Sequence, residues 1–325
     1  MVAIIADSCS FPNAAISLDS DHVAQHDGII YGATCALSGR PMKAPAFAYT
    51  KARTLEQVFD LLEKHGDGAR LLAGGQSLLA TLNLRLSSPE ILIDITGMRD
   101  LAGITVEHDK VVIGALTTHA ELERSAEIAN NLPLLAQAAP HIAHVAIRNA
   151  GTIGGSIAMA DPAAEWPACC LALDADFVIA NKDGQRKVKA RDFFHALYTT
   201  AIGPRDVLLA IEIGIPVNGS RSAFVELTRR RGDYAIVGLA ATAQKNDGAL
   251  TNVQLAYLGA GHTPVLAKTA MAKFENKSLS DSVVAEAAVS LASDLDPGDD
   301  IYSTAATKLH LARVITKRAL AALNH

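Results

Sequence analysis

Hydrophobic positions change their period several times along the chain, and each change marks an element. Leu55, Val58, Phe59 and Leu62 share one helical face, with Thr54 placed to cap the helix and Gly66-Asp67-Gly68 to end it near His65. Arg70–Ala73 reads as a short buried strand stopped by Gly74-Gly75. A second helix starts at Ser77, and Ile91–Ile95 reads as another strand. This alternation predicts a compact unit over residues 42–97.

Lys110–Leu116 has the composition of a strand, followed by helical periods near 118–127 and 133–143 and again over 166–173. Asp176–Asn181 and Gln185–Lys189 read as a hairpin turning at Lys182-Asp183-Gly184, and Val207–Ile215 as a further strand. The mixture predicts a second, α+β unit over 98–216. Pro216-Val-Asn-Gly-Ser220 reads as a linker. Beyond it, 223–229, 234–245 and 250–259 read as three successive strands, with Asn246-Asp247-Gly248 as a turn. Helical periods fill 265–274, 281–295 and 303–323. A three-stranded antiparallel sheet with a helical bundle is therefore expected over 217–325. Residues 1–41 show neither period and open without basic residues. They read as a leader outside the fold, or an upstream extension ahead of Met42, and not as a secretory signal.

Composition narrows the chemistry. The chain has 325 residues, half of them hydrophobic, which is enough for a large core over two or three domains. Net charge is −5, and the basic run Arg229-Arg230-Arg231 is too short for a nucleic-acid stripe. No apolar run reaches the roughly 18 residues a membrane helix needs. Of the 4 cysteines (Cys9, Cys35, Cys169, Cys170) none forms a CxxC, and the histidines form no HExxH. Neither an iron–sulfur cluster nor structural zinc is expected on this chain, and a reducing cytoplasm fits.

Two glycine loops stand out: Ala73-Gly74-Gly75-Gln76-Ser77 and Thr152-Ile153-Gly154-Gly155-Ser156. Glycines let successive N–H groups point into one concavity, and a helix starting directly after adds its N-terminal dipole. Neither loop is GxGxxG or GxxxxGK. Either pair alone reads best as a tight turn packed on a sheet. Two such pairs, each followed by polar residues and a helix, suit a pyrophosphate gripped from both sides. Asp161 and Glu165 follow the second loop and can accept from a ribose or adenine group. His119, His141 and His144 show no ligand spacing and read as structural or exposed, and Cys169-Cys170 as helix packing.

These loops, together with Ile93-Asp94, Ile113-Gly-Ala-Leu-Thr117, Arg148-Asn149, Asp161-Pro162 and Gly232-Asp233-Tyr234, resemble the FAD-binding medium subunit of molybdenum hydroxylases, the carbon monoxide dehydrogenase and xanthine dehydrogenase flavoprotein family. The resemblance runs from about Met42 to the C-terminus. It implies an FAD-binding region in two parts, 42–97 and 98–216, of the p-cresol methylhydroxylase type, with a C-terminal flavoprotein domain over 217–325. It implies that Ala73–Ser77 and Thr152–Ser156 cradle the FAD pyrophosphate, that Thr117 lies near the cofactor, that Leu208 packs on the adenine end and that Tyr234 approaches the isoalloxazine ring. Glu165 stands where the family usually carries Asp for a polar contact to FAD. Neither glycine loop holds a His, Cys or Tyr, so the FAD is expected to be non-covalent.

The resemblance also implies partners. A large subunit would carry the molybdenum cofactor, and a small subunit two [2Fe–2S] clusters, in a dimer of heterotrimers. This chain would take electrons from the clusters and pass them to an external acceptor, and would itself supply no substrate-binding catalytic residue. Two other readings stand beside it: a self-sufficient FAD-dependent oxidase or dehydrogenase with its own substrate pocket, and a non-enzymatic nucleotide-binding module. Copurifying large and small chains, flavin reduction by an organic donor, or a colourless protein would separate the three.

Overall fold

The computed structural model describes Gln25–His26, Ile29–Tyr31 and residues 43–246, 249–274, 277 and 279–324. The first layer is a five-stranded sheet in the order β1-β2-β3-β5-β4, built from β1 (Gln25–His26), β2 (Ile29–Tyr31), β3 (Ala48–Lys51), β4 (Ala69–Leu72) and β5 (Ile91–Asp94). The last three run parallel, and α1 (Leu55–His65) makes the crossover from β3 to β4. Thr54 caps α1 as its sequence suggests, accepting from the Gln57 amide at 3.3 Å. β1 and β2 continue the sheet beyond β3 with Ile30 opposite Tyr49; the rest of the 1–41 segment, read from the sequence as a leader or upstream extension, lies outside the described residues.

The second sheet has the order β6-β7-β12-β8-β9 and is antiparallel throughout: β6 (Ile104–Val106), β7 (Lys110–Gly114), β8 (Asp176–Asn181), β9 (Gly184–Lys189) and β12 (Val207–Gly214). Between β7 and β8 the chain winds through α3 (His119–Arg124), α4 (Ala126–Asn131), α5 (Pro133–Ala138), α6 (Val145–Arg148), α7 (Ile153–Met159) and α8 (Glu165–Ala172). A small hairpin, β10 (Phe194–Ala196) and β11 (Thr199–Thr200), precedes β12. Both faces of this sheet are covered. Phe177, Ile179, Ile211 and Ile213 pack under the helices, whereas Val178, Ala180, Val207 and Leu209 pack on the first layer. Two-residue alternation in β8 thus joins two cores through one strand.

The C-terminal sheet is one strand larger than expected: β13 (Ser220–Leu227), β14 (Val237–Asn246), β15 (Ala249–Leu258) and a short β16 (Val265–Leu266). The helical period expected over 265–274 is broken up. Val265–Leu266 pairs with β15, α9 (Lys268–Met271) is a single turn, and a 3-10 turn follows. An apolar run this short does not distinguish strand from helix by period. Ala240, Ala256 and Leu258 face the helices of the second unit, and Leu239, Ala241, Leu255 and Tyr257 face α10 (Asp281–Asp294) and α11 (Ala305–Asn324).

Tyr257 is fully buried, and its hydroxyl lies 2.7 Å from Thr316 Oγ1, which itself donates to the Ala312 carbonyl at 2.6 Å. Tyr257 is therefore the donor of the pair. Tyr257→Phe removes one hydrogen bond without orphaning a donor and should cost about 1 kcal/mol. Thr316→Val leaves the Tyr257 hydroxyl unpaired in the core and should cost about 1–3 kcal/mol. Chemical denaturation of the two variants checks the order.

Candidate functional site

The first glycine loop leaves the sheet at the carboxyl ends of β3, β5 and β4, the edge at which open parallel sheets hold their ligands. Ile95 donates to the Leu72 carbonyl at 3.0 Å and fixes the two strand ends together. Asp94 is buried there and held below the usual carboxylate range despite its burial, because Thr96 Oγ1 (2.6 Å), the Thr96 amide (2.8 Å) and Tyr49 (2.5 Å) all donate to it. The loop itself is uncommitted. Among the described residues no acceptor meets the amides of Ala73, Gly74, Gly75, Gln76 or Ser77. Gly75 has φ +70°, which turns the chain, and Ser77 makes no side-chain cap to α2 (Leu78–Asn83), so its hydroxyl is free and exposed. Gln76 Nε2 donates to the Gly74 carbonyl at 2.9 Å and braces the turn.

The second loop is built differently. It lies antiparallel against the end of β7 through the bridge Thr118–Thr152: His119 donates to the Gly151 carbonyl at 2.9 Å, Ile153 to the Thr117 carbonyl at 3.0 Å and Gly154 to the Ala115 carbonyl at 2.9 Å. The amides of Ile153 and Gly154 are thereby engaged by main-chain carbonyls. Both residues are buried, and Gly154 is a glycine because an added Cβ would stand 2.5 Å from that of Ala115. What the second loop leaves open is the hydroxyl of Ser156, the exposed Gly155 and the proton of Thr152, whose Oγ1 caps α7 by accepting from the Gly155 amide at 3.1 Å. The two loops touch: a Cβ on Gly74 would lie 2.1 Å from the Ala150 carbonyl oxygen. They form one continuous wall.

Thr117 lies just after β7. It is fully buried, and its hydroxyl is spent on Gly103, accepting from the amide at 2.9 Å and donating to the carbonyl at 3.0 Å. Leu208 is buried in the core beneath the helices. Asp161 folds into a turn, accepting from the Ala163 amide at 2.9 Å, and burial raises its pKa. Glu165 begins α8 and is 9% exposed; burial pushes it up to about 7, with Asp161 adding to the rise. Tyr234 stands 74% exposed beside these acids, and its pKa is raised by burial of the hydroxyl and by Asp161 and Glu165.

Two residues of this region escape a reading of the sequence. Tyr198, at φ +53° between β10 and β11, is exposed and feels both Asp161 and Tyr234. No sequence pattern announces a tyrosine in the left-handed region. Glu226 lies on β13, with burial and Glu165 pushing it up to about 8. Its position was legible: Glu226 shares strand parity with Phe224, which packs toward the second unit. His119, read from the sequence as structural or exposed, is buried. Trp166 Nε1 donates to its Nδ1 at 2.9 Å, so Nε2 carries the proton, and burial with Arg148 nearby pushes its pKa down to about 4. Arg148 is itself buried, donating to Glu123 and to the carbonyls of Ile142 and Ala143. Cys169 and Cys170 are sealed in α8, burial raising both thiols, and among the described residues no group of His, Cys, Asp or Glu could hold a metal ion.

The FAD binding domain in molybdopterin dehydrogenase matches residues 45–216, and the CO dehydrogenase flavoprotein C-terminal domain matches residues 222–323. The chain is 38% identical over 285 residues to the 6-hydroxypseudooxynicotine dehydrogenase complex subunit alpha of Paenarthrobacter nicotinovorans, covering 87% of this chain and 96% of that one. A carbon monoxide dehydrogenase from Hydrogenophaga pseudoflava that lacks the Mo-pyranopterin moiety superposes with a TM-score of 0.84 at 36% identity, over 86% of this chain and 98% of its own. Quinoline 2-oxidoreductase from Pseudomonas putida 86 superposes with a TM-score of 0.82 at 35% identity, over 86% and 98%.

The His119–Trp166 pair supports the second loop from below, and its geometry sets an expectation. In His119→Asn the amide oxygen can take the place of Nδ1 and keep the Trp166 donor paired. In His119→Gln it cannot, and a buried indole N–H loses its acceptor, at a cost of about 1–3 kcal/mol. Urea denaturation should rank wild type above His119→Asn and His119→Asn above His119→Gln.

Proposed function

The chain belongs to the FAD-binding subunit family of the molybdenum hydroxylases, a family of oxidoreductases, and from that premise we propose that it is the electron-transfer flavoprotein of a heterotrimeric molybdenum-dependent dehydrogenase. The observation that carries the proposal is the run of five uncommitted main-chain amides over Ala73–Ser77, at the carboxyl edge of a parallel sheet and against the start of α7. Unpaired amides in sequence, with free hydroxyls at Ser77 and Ser156, have the chemistry of a pyrophosphate cradle, so the residues present fit a flavin dinucleotide.

In this reading Ala73–Ser77 supply the amide donors. Gly155 gives bare backbone, and the hydroxyls of Thr152, Ser156 and Ser77 donate to phosphate oxygens. Gly74, Ile153 and Gly154 shape the wall by packing. Asp161 and Glu165 hold a polar group of the nucleotide beyond the phosphates, Leu208 backs the adenine end, and Tyr234 with Tyr198 shields the isoalloxazine ring from water. FAD, when bound, supplies exchange between one-electron carriers and two-electron acceptors. Neither loop offers a covalent anchor, so the cofactor is non-covalent. The parts 42–97 and 98–216 form a two-part region of the p-cresol methylhydroxylase type, and 217–325 completes the subunit.

The partners follow from the same reading: a small subunit with two [2Fe–2S] clusters that delivers electrons, and a large subunit with the molybdenum cofactor, in a dimer of heterotrimers in the cytoplasm. No helix among the described residues is long and apolar enough to cross a membrane.

The purified chain should carry FAD that acid or heat releases, and Ser77→Asp should weaken FAD at least tenfold, about 1.4 kcal/mol, by placing a negative charge among the phosphate donors. Ser77 is exposed and makes no side-chain bond, so the apo melting temperature should stay within about 1 °C of wild type. Titration of apo-protein with FAD, followed by flavin fluorescence, reads the affinity. Wild-type affinity in Ser77→Asp would remove the first loop from the site. Reduction of the flavin in the isolated chain by an organic donor would favour a self-sufficient oxidase instead.

A further inference from the structure

Tautomer and position single out one nitrogen beside the two glycine loops. Trp166 Nε1 donates to Nδ1 of His119 at 2.9 Å, so the ring carries its proton on Nε2. That N–H meets no acceptor among the described residues, although His119 is only 6% exposed. The unpartnered side-chain atoms that are sealed from solvent are His65 Nε2, Glu226 Oε2 and Asp233 Oδ2, and His119 Nε2 is not among them. It is the donor of a buried ring that still reaches open space.

The nitrogen stands at the seam of the loops. His119 opens α3, and its amide donates to the Gly151 carbonyl at 2.9 Å, tying the residue to the second loop. A Cβ on Gly151 would lie 2.8 Å from Nε2, so only glycine lets the ring edge come this close. From the other loop, a Cβ on Gly74 would lie 2.7 Å from Gly151 Cα. Gly74, Gly151 and the edge of the His119 ring are therefore successive neighbours. The Ile147 carbonyl lies by the same point, 3.1 Å from the Cβ position of Gly151. It is already taken by the amides of Gly151 at 2.7 Å and Ala150 at 3.1 Å, which leaves nothing for Nε2.

The ring is also fixed in charge. Burial, with Arg148 nearby, pushes it down to about 4, so it is neutral at neutral pH, and a proton on Nδ1 would set two donors face to face with Trp166. Arg148 itself is spent on Glu123 and on the carbonyls of Ile142 and Ala143. His119 thus adds an uncharged, oriented N–H to the uncommitted amides of Ala73–Ser77, and an oxygen-rich anion can accept from both. We propose that His119 donates its Nε2–H to a phosphate oxygen of the dinucleotide held between the two loops, with Trp166 as the positioning residue that keeps the proton on Nε2. The proposal rests on the FAD-binding reading and adds a side-chain imidazole to a cradle of amides and hydroxyls. No covalent bond forms and no proton is transferred.

Two substitutions separate this role from mere support of the loop, because each keeps the function of one ring nitrogen. His119→Asn puts an oxygen in place of Nδ1, keeps Trp166 paired and has no donor at the Nε2 position. His119→Gln has an N–H at the Nε2 position and leaves Trp166 without its acceptor. Stability should therefore fall from wild type to His119→Asn to His119→Gln. FAD affinity should fall in another order: His119→Gln within about threefold of wild type, His119→Asn weaker by at least about tenfold, the loss of a hydrogen bond to a charged acceptor.

The experiment titrates the full apo chain and both variants with FAD by flavin fluorescence, below all their melting transitions. In parallel, NMR of the chain labelled with ¹⁵N-histidine follows the His119 signal, identified by its loss in the variants. The apo ring should be neutral with its proton on Nε2, and that proton should move downfield on addition of FAD and of inorganic pyrophosphate. Should His119→Gln fail to fold, Trp166→Phe is combined with each variant to remove the indole that needs an acceptor, and the glutamine should again bind FAD more tightly than the asparagine. Affinities that follow the order of stability, or an Nε2–H signal that FAD does not move, overturn the role of His119 and leave the FAD reading standing. A shift with FAD but none with pyrophosphate overturns phosphate as the acceptor. Wild type that takes up no FAD overturns the FAD reading and this role with it.

Discussion

Direct contact between main chains is the constraint on which the site depends. Three segments, at Gly74, Ala115–His119 and Ala150–Gly154, meet without side chains between them. A Cβ on Gly74 would fall 2.1 Å from the Ala150 carbonyl oxygen, and one on Gly154 2.6 Å from that of Ala115. Backbones approach this closely only where glycine removes the obstacle, and the gain is a set of hydrogen bonds that sets the second loop rigidly on the end of β7. Amides used in that way are unavailable to a ligand. The division of labour between two similar-looking loops follows: the second is the anchored wall, and the first, whose amides meet no protein acceptor, is the face that can bind an anion.

The wall is stiffened from behind by polar groups that a core tolerates only when they are paired. Arg148 reaches Glu123 with one edge of its guanidinium and the carbonyls of Ile142 and Ala143 with the other, and so fixes the approach to the second loop. Trp166 gives its indole N–H to His119, which burial keeps neutral. Glu123 and His119 come from α3 and Trp166 from α8, so the loop is positioned by the two regions together. Beyond the wall the electrostatics change character. Burial raises Asp161, Glu165 and Glu226, with Asp161 adding to the rise of Glu165 and Glu165 to that of Glu226. One part of the region thus offers free amides, and the neighbouring part is acidic.

The three parts of the chain are not independent bodies strung together. The second sheet packs on the first layer with one face and under the helices with the other, and α8 lies between it and the C-terminal sheet. Glu226 of β13 can therefore feel the charge of Glu165, although about 60 residues separate the two.

By itself the sequence determined which elements form and where most of them end, because period, caps and turn glycines are local properties: Thr54 caps α1, Asp176–Asn181 pairs with its neighbour across Lys182-Asp183-Gly184, and 223–227, 237–245 and 250–258 are strands. It also marked the two glycine loops, since close backbone approach demands glycine whatever the neighbour is. Tertiary structure alone decided what the glycines approach. Gly154 meets Ala115, and the Thr117 hydroxyl turns to Gly103, because hydrogen-bond partners are assigned by contacts that sequence spacing does not encode. It decided likewise that Val265–Leu266 joins a sheet edge, where pairing overrides a run too short to declare its own period. Strand parity said which way Glu226 points; only the tertiary structure brought it within the influence of the Glu165 charge.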